Sequence, residues 1–411
     1  MKMEKILLKD IDKPNLCDID AYVGGGGYKA LKKALRMTPK ETIKEVKKSK
    51  LVGRGGAAFP TGLKWEFTRK EKDKVKFLVC NADEGEPGTF KDRVLLKNNP
   101  HLLVEGMVIG GYAIGANKGV IYIRGEYFEE IRKLNKAIGE AKKKKYIGKN
   151  ILGSGFSYEL QVYCGAGAYV CGEEMALFES LEGKRGYSRE KPPFPTHSGF
   201  MSKPTVINNV ETLCNIPAII INGGNWYSKI GSPGSPGTKL FCLSGHVNKP
   251  GVYELPMGIT LRKLIEKYGG GVKGKFKGVL PGGVSSSLLT NLDVKLDYKS
   301  VADAGSMLGS GAVIVINSNT NIVDVAKNSM EFFVHESCGQ CVPCREGTGR
   351  ANEILSRFVN KKGRKEDIDL LLELGDVMYD TARCGLGQAA MNITTSGIRI
   401  FNDEFTEGVG K

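Results

Sequence analysis

Four cysteines near the C-terminal end constrain this chain more than any other feature. Cys338, Cys341 and Cys344 form a C-x2-C-x2-C run in HESCGQCVPCREG, and Cys384 stands apart from them in TARCGLG. Three thiolates stepped by three residues wrap one side of a compact inorganic body, and a fourth from a separate segment closes it. That arrangement suits a [4Fe-4S] cluster, which takes four cysteine thiolates. Structural zinc is the alternative, although its cysteines usually come as two spaced pairs. A disulfide framework belongs mostly to small secreted domains and fits a chain of 411 residues poorly. Pro343 and the small residues around the run favour a tight loop whose N–H groups point at cluster sulfurs. The fold must therefore return residue 384 to the 338–344 loop, and the function indicated is the movement of single electrons.

The other cysteines, Cys17, Cys80, Cys164, Cys171, Cys214 and Cys242, are isolated, and each is expected to be a small buried apolar residue. No apolar run reaches the ~18 residues that a membrane helix needs, so direct membrane insertion is not expected. The start, MKMEKILLKDIDKPNL, is charged throughout and lacks a signal-peptide apolar region. The expected location is the cytoplasm, with contact to a membrane only through a complex. The net charge of +15 rests on scattered lysines such as Lys142–Lys145, with no recognised nucleic-acid motif, so no nucleic-acid partner is expected. A solvated basic surface and docking to an acidic protein both fit that charge.

Residues 1–50 read as a helical lead-in. GGGGYKALKKALR, from Gly24, has the spacing of an amphipathic helix. Residues 51–235 alternate apolar runs with glycine-rich turns and helices. Lys76–Cys80 and Gly119–Arg124 read as buried strands and His101–Ile114 as a helix, which predicts an α/β domain with a largely parallel sheet. Residues 230–238, IGSPGSPGT, read as a linker. Residues 239–320 then read as a β-grasp-like unit: strands at Lys239–Leu243, Gly251–Leu255 and Ala312–Asn317, and one helix capped by Thr260 and stopped at Gly269. From 321 to 411 three apolar stripes predict a small helical bundle. They run through Ile322–Val334, Ala351–Val359 and Ile368–Met378, and the bundle holds the cysteines on rigid supports.

Three further blocks sit in the α/β region. In Gly53-Arg54-Gly55-Gly56-Ala57-Ala58-Phe59-Pro60-Thr61-Gly62-Leu63-Lys64-Trp65, the glycines allow close backbone approach to a phosphate-bearing ligand. Phe59 is suited to stack on a flat ring and Lys64 to meet a phosphate or carboxylate; a tight structural turn is the plainer reading. Asn81-Ala82-Asp83-Glu84-Gly85-Glu86 follows the first strand, where ligands of α/β sheets sit. Crowded carboxylates there suit a metal or hydroxyl-rich ribityl or ribose groups, or else a solvated acidic turn. Cys164–Glu174 places glycines before a helix N-terminus, again an anion or cofactor signature. Asn208, Asn209 and Thr212 add side chains suited to reading a heteroaromatic ring.

GRGGAAFPTGLKW, NADEGEPGTFKDR, GAGAYVCGEE, KPPFP, NNVET and SCGQCVPCREG occur in this order. In them the chain closely resembles the NADH-binding flavoprotein subunit of respiratory complex I, the NADH-quinone oxidoreductase. Related diaphorase subunits of NAD-linked hydrogenases and formate dehydrogenases share the motifs. The resemblance runs from about Gly24 to the Cys384 region. It implies FMN in a Rossmann-like domain, a ubiquitin-like β-grasp insert and a helical bundle with one [4Fe-4S] cluster ligated by Cys338, Cys341, Cys344 and Cys384.

The resemblance also implies FMN lined by Gly53, Gly55, Lys64, Asn81, Asp83, Glu84, Tyr169, Gly172, Glu173, Asn208, Asn209 and Thr212. NADH is expected to meet Phe59, Phe67, Glu86, Glu174, Lys191 and Phe194. Glu86, Glu174 and Lys64 form the expected catalytic set, the two glutamates shaping the nicotinamide pocket. Hydride transfer from NADH to FMN, single electrons to the cluster and a thioredoxin-like [2Fe-2S] partner subunit complete what the resemblance implies. Two places depart from the family's usual pattern: the segment Gly186–Lys191 lacks the Pro-Arg pair common before KPPFP, and Met175 stands where Thr is common. A role in a soluble hydrogenase or formate dehydrogenase is the alternative. An iron–sulfur scaffold without flavin chemistry is opposed by the presence of both the Gly53–Lys64 and Asn81–Glu86 blocks.

Overall fold

Strand β1 (Phe77–Ala82) forms because a run of apolar residues leads into the polar Asn81, and it becomes the centre of a parallel sheet. The computed structural model describes residues 5–410; positions 1–4 and 411, at the outer ends of the expected lead-in and bundle, lie outside the described residues. β2 (Lys118–Ile123), β3 (Glu159–Cys164) and β4 (Thr205–Asn209) complete the sheet in the order β3-β2-β1-β4, every pairing parallel. Successive side chains alternate between two cores, as a pleated strand requires. Leu78, Cys80, Ile121, Ile123 and Val206 face one, and Val79, Tyr122 and Ile207 face the other.

The first core is closed by the helix Pro100–Ile114 and by the lead-in helices, whose Leu31, Ile43 and Val46 are buried in it. Gly106 permits this packing: a Cβ there would fall 2.3 Å from the Leu213 carbonyl oxygen. Glu254 ties down the start of the chain by accepting from the N–H groups of Ile6, Leu7 and Leu8. The amphipathic helix expected from Gly24 is divided. One helix, Ile19–Gly24, ends there, and a second, Lys29–Ala34, starts after Tyr28, whose φ of 59° breaks the helical path.

The expected linker is ordered. β5 (Gly231–Ser232) and β6 (Ser235–Pro236) form a hairpin, and the Pro236 carbonyl accepts from the buried Arg54 guanidinium at 2.6 Å. The second sheet has β7 (Thr238–Gly245), β8 (Gly251–Pro256), β9 (Phe276–Leu280) and β10 (Ala312–Asn317), in the order β8-β7-β10-β9. Its first and last strands, β7 and β10, run parallel side by side, the β-grasp arrangement. β9 escapes the sequence reading, since its burial begins only at Gly278. Thr260 caps its helix by accepting from Lys263 N–H and the helix stops at Gly269, as expected, but it widens to a π form over Leu264–Tyr268 and the left-handed residues, Gly270 and Gly271, come after the stop.

The C-terminal region packs helices Ile322–Glu336, Val342–Val359, Glu366–Thr381 and Asn392–Ile400 into the second core. The three stripes are buried apart from the half-buried Val325 and Leu372 and, near their ends, the exposed Val334, Val359 and Val377. Cys80, Cys171, Cys214 and Cys242 are buried as expected, but Cys164 is exposed at the end of β3 and Cys17 is half-buried. Among the described residues no helix is long and apolar enough to cross a membrane.

The two sheets meet at a buried charge. Glu211, on the helix after β4, pairs with Lys239 of β7 at 2.5 Å and Lys91 at 3.1 Å, and accepts from Leu240 N–H at 2.9 Å. Burial opposes its charge, but Lys239, Lys91 and Arg54 hold its carboxyl below the usual range. Removing one partner from such a group leaves buried charges unpaired. Glu211→Ala is expected to destabilise the protein by about 3–5 kcal/mol, read as a lower urea midpoint.

Candidate functional site

The carboxyl ends of β1 and β4 form one floor of the site. Their register sets Asn81 beside Asn209 and Cys80 beside Asn208. Asn81 donates to the Gly172 carbonyl at 2.8 Å and accepts from Asp83 N–H at 3.0 Å, which ties β1 to the turn before helix Glu174–Leu181. The glycine loop lies over this floor. A Cβ on Gly55 would fall 3.1 Å from Asn209 Cβ, and Arg54 N–H donates to Thr212 Oγ1 at 2.8 Å. Gly53 N–H donates to the Phe59 carbonyl at 2.9 Å, and its own carbonyl accepts from Tyr298 of the β-grasp domain at 3.1 Å. Trp65 Nε1 donates to Asn208 Oδ1 at 2.9 Å, so Asn208 supports the helix that carries Lys64.

Four charged residues expected at the site form a ladder. Lys64 meets Glu174 at 3.4 Å, and Lys191 meets Glu174 at 2.7 Å and Glu173 at 3.0 Å. Burial raises the Glu174 carboxyl, but Lys64 and Lys191 outweigh it and hold it below its ordinary value. Glu173 also caps helix Glu174–Leu181 by accepting from the N–H groups of Met175 and Ala176. Phe59, Phe67 and Phe194 are exposed apolar rings at 43%, 38% and 54%, and Lys64 stands 5.9 Å over the Phe59 ring.

The acidic block divides by role. Glu84 points inward and accepts from Asp92 N–H at 2.8 Å, Arg93 N–H at 3.0 Å and Tyr127 Oη at 3.0 Å. It caps the helix Lys91–Asn98, and its carboxylate is committed to that task. Asp83 differs: its Oδ2 is buried without a hydrogen-bond partner. Burial pushes its carboxyl up to about 7, against the pull of Arg124. A buried acceptor awaiting a donor suits a hydroxyl-rich ligand. Glu86 accepts from Tyr169 Oη and from the hydroxyl and N–H of Ser285, the latter two at 2.9 Å each. Its removal from water raises its carboxyl against these hydrogen bonds.

Sequence reasoning missed Ser285, Tyr298, Arg124 and Glu336. Arg124 Nη1 donates to the Glu84 carbonyl at 2.7 Å, and Glu336 accepts from Tyr169 N–H at 2.7 Å. The PGGVSSS stretch was the available signal for Ser285, a glycine turn followed by hydroxyls.

The cysteines converge from two segments. Cys338 and Cys341 lie between helices Ile322–Glu336 and Val342–Val359, Cys344 opens the second of these, and Cys384 precedes helix Gly385–Ala389. A Cβ on Gly387 would fall 3.0 Å from Cys344 Cβ, so the two segments are in contact. Burial, with Cys341, Cys384 and Cys338 adding to it, pushes the Cys344 thiol up to about 11, while the Ser337 hydroxyl at 3.3 Å opposes the shift. Cys384 is raised by burial and lowered by the N–H groups of Leu386 and Gly387. Among the described residues no three His, Cys, Asp or Glu side chains converge on a single-ion point. Four soft donors from two touching segments, two of them with hydrogen-bond donors at sulfur, fit an iron–sulfur cluster. A cavity of about 550 Å³ bordered by Glu173, Arg189, Lys191, Arg383, Cys384 and Gln388 joins the charged ladder to this centre.

Family models match three stretches: the Nuo51 FMN-binding domain over 46–218, the SLBB domain over 239–316, and the NADH-ubiquinone oxidoreductase-F iron–sulfur binding region over 324–408. The chain is 49% identical over 407 residues to the second F-type NADH-quinone oxidoreductase subunit of Rhizobium meliloti strain 1021, covering 98% of this chain and 97% of that one. It is 50% identical over 391 residues to the NADP-reducing hydrogenase subunit HndC of Solidesulfovibrio fructosivorans, covering 94% and 80%. A chain in the crystal structure of an NAD+-reducing [NiFe]-hydrogenase in the H2-reduced state matches with a TM-score of 0.86 at 36% identity. The match covers 98% of this chain and 66% of that one.

Asp83 generates a pH test. Its folded value of about 7 lies above the ordinary 3.8, so its contribution to stability is full below about pH 4 and lost as pH rises through about 7. The thermal midpoint of the cofactor-free chain is expected to fall over that interval, and Asp83→Asn to reduce the fall. A parallel pair of curves would contradict this account of the site.

Proposed function

The chain belongs to the family of F-type NADH-quinone oxidoreductase subunits, and we propose that its glycine loop, strand ends and charged ladder bind FMN and NADH beside a [4Fe-4S] cluster. It is an FMN- and iron–sulfur-dependent oxidoreductase subunit. Bound FMN supplies hydride acceptance from NADH and one-electron release to the cluster. The observation that carries the reading is the buried, unpartnered Asp83 Oδ2. Gly172 leaves space beside it, since even a Cβ there would lie 3.7 Å away.

In this reading Gly53 and Gly55 admit the cofactor close to backbone, and Asn81, Asp83, Gly172, Asn208, Asn209 and Thr212 hold or support it. Glu84 acts from behind, by fixing the helix after the acidic loop. Lys64 and Lys191 keep Glu174 ionised, and Glu174 and Glu86 present the polar edge of the nicotinamide pocket. Phe59, Phe67 and Phe194 offer apolar faces to the nucleotide. Tyr169 and Glu173 lie between this pocket and the cluster. Cys338, Cys341, Cys344 and Cys384 ligate the iron.

Electrons need an outlet. A thioredoxin-like [2Fe-2S] subunit is the partner we propose, within a larger complex at the cytoplasmic side of a membrane. The hydrogenase relatives favour a second reading, in which the chain serves a soluble NAD-linked complex.

An anaerobic visible spectrum tests the core of the proposal. Adding NADH is expected to bleach the flavin and iron–sulfur bands together; bands that ignore NADH would overturn it. Glu86→Gln places an amide among three donors. It is expected to raise the KM for NADH about tenfold while FMN content stays unchanged. Loss of FMN from that variant would remove Glu86 from the nicotinamide side.

A further inference from the structure

Most of what holds Glu86 belongs to distant parts of the chain. Ser285 presents two donors from one residue: its N–H meets Oε1 and its hydroxyl meets Oε2, each at 2.9 Å. Tyr169 Oη donates to the same Oε2 and lies 3.2 Å from Ser285 Oγ. A fork of this kind fixes both carboxylate oxygens and so the plane of the group, which a single hydrogen bond would leave free to rotate. Gly283 makes the approach feasible, since a Cβ there would fall 2.6 Å from Glu86 Oε1.

The turn carrying Ser285 is itself braced. Gly282 N–H donates to Ser286 Oγ at 3.1 Å, and Ser286 Oγ donates to the Gly283 carbonyl at 2.8 Å. From the C-terminal bundle, Asn392 Nδ2 donates to the Ser285 carbonyl at 2.7 Å, and Ser396 Oγ accepts from Leu288 N–H at 3.0 Å. Ser285 is buried and is anchored on both its N–H and its C=O sides.

We propose that Ser285, on the β-grasp domain, is a positioning residue for NADH: it fixes the plane of the Glu86 carboxylate at the nicotinamide end. The inference rests on the proposal that Glu86 faces NADH. The β-grasp domain then contributes to binding of the reductant as well as to packing, and the bundle sets the height of the turn through Asn392.

The test is steady-state oxidation of NADH by ferricyanide, with FMN content measured on each preparation. Ser285→Ala keeps the backbone donor and removes the hydroxyl. It is expected to raise the KM for NADH about fivefold to tenfold, with kcat within about twofold and full FMN. Ser285→Thr restores the donor and is expected to return KM to within about twofold of the parent. General loosening of the fold would instead lower kcat and FMN together, and the Thr variant would not rescue it. Asn392→Ala, which unties the turn from outside, is expected to raise KM about twofold to threefold. A parental KM in Ser285→Ala with full FMN overturns the inference, as does a parental KM in Asn392→Ala should Ser285→Ala fail to fold. If the parent flavin ignores NADH, the reading of Glu86 fails first and this inference with it.

Discussion

The Glu211 carboxylate is the interaction on which the cofactor end depends. A charge that is fully out of water must be met on every side. Here it is met by Lys91 from the helix Lys91–Asn98 and by Lys239 and the Leu240 N–H from β7. Lys91 in turn reaches Asp92 at 2.7 Å and Asn209 Oδ1 at 3.1 Å, and Asn209 Nδ2 reaches Asp92 Oδ2 at 2.6 Å. This network joins the helix after β4, the helix after the acidic loop and the first strand of the β-grasp sheet. The glycine loop rests on its upper edge, with Gly55 against Asn209 and Arg54 N–H on Thr212. The glycine-loop backbone is therefore positioned by buried ion pairs beneath it as well as by the Gly53–Phe59 hydrogen bond within the loop.

Most polar side chains of the site are already bound to one another. Asn81, Asn208, Asn209, Glu84 and Glu173 each hold a backbone or side-chain partner in the folded chain. Such groups do not need to reorganise when a ligand arrives, and the ordering entropy of binding falls accordingly. Among the strand-end and acidic-loop residues Asp83 is the exception, and in the Gly53–Trp65 block Arg54 Nε and Nη1 and Thr61 Oγ1 are also buried without partners. The Asp83 orphan oxygen is unfavourable without a partner and becomes satisfied when a donor enters. Residues with this asymmetry mark where a ligand attaches better than residues that are merely polar.

The strands were legible because burial on both faces leaves an uninterrupted apolar run. KFLVC and GVIYIR fell within two residues of β1 and β2, and Ala312–Asn317 matched β10. The lead-in helix was misread because a left-handed Tyr28 interrupts a pattern that is periodic on both sides of it. The Ser-Pro-Gly segment has linker composition, but a carbonyl needed by a buried arginine holds it in place. Glu84 and Asp83 are adjacent and chemically alike, and only the fold decides that one caps a helix while the other keeps an unpartnered oxygen. For Ser285 the glycine turn and hydroxyls of PGGVSSS were visible, but its partner lies 199 residues away, and no local pattern encodes that pairing.

The short turn Tyr169–Gly172 explains how two kinds of chemistry share one chain. Its last carbonyl accepts from Asn81 at the strand-end floor, and its first side chain reaches Glu86, the carboxylate proposed to face NADH. The N–H of that same Tyr169 meets Glu336, two residues before Cys338, and its ring lies 5.1 Å from Phe332 on the same helix. Glu173 follows immediately and borders the cavity that also contains Cys384. A turn of four residues is short and conformationally confined, so it transmits position without slack. Because one turn touches Asn81 at the strand-end floor, the Glu86 carboxylate and the helix that leads into the cysteine loop, their spacing is set together. Shifting any one of them requires moving the others.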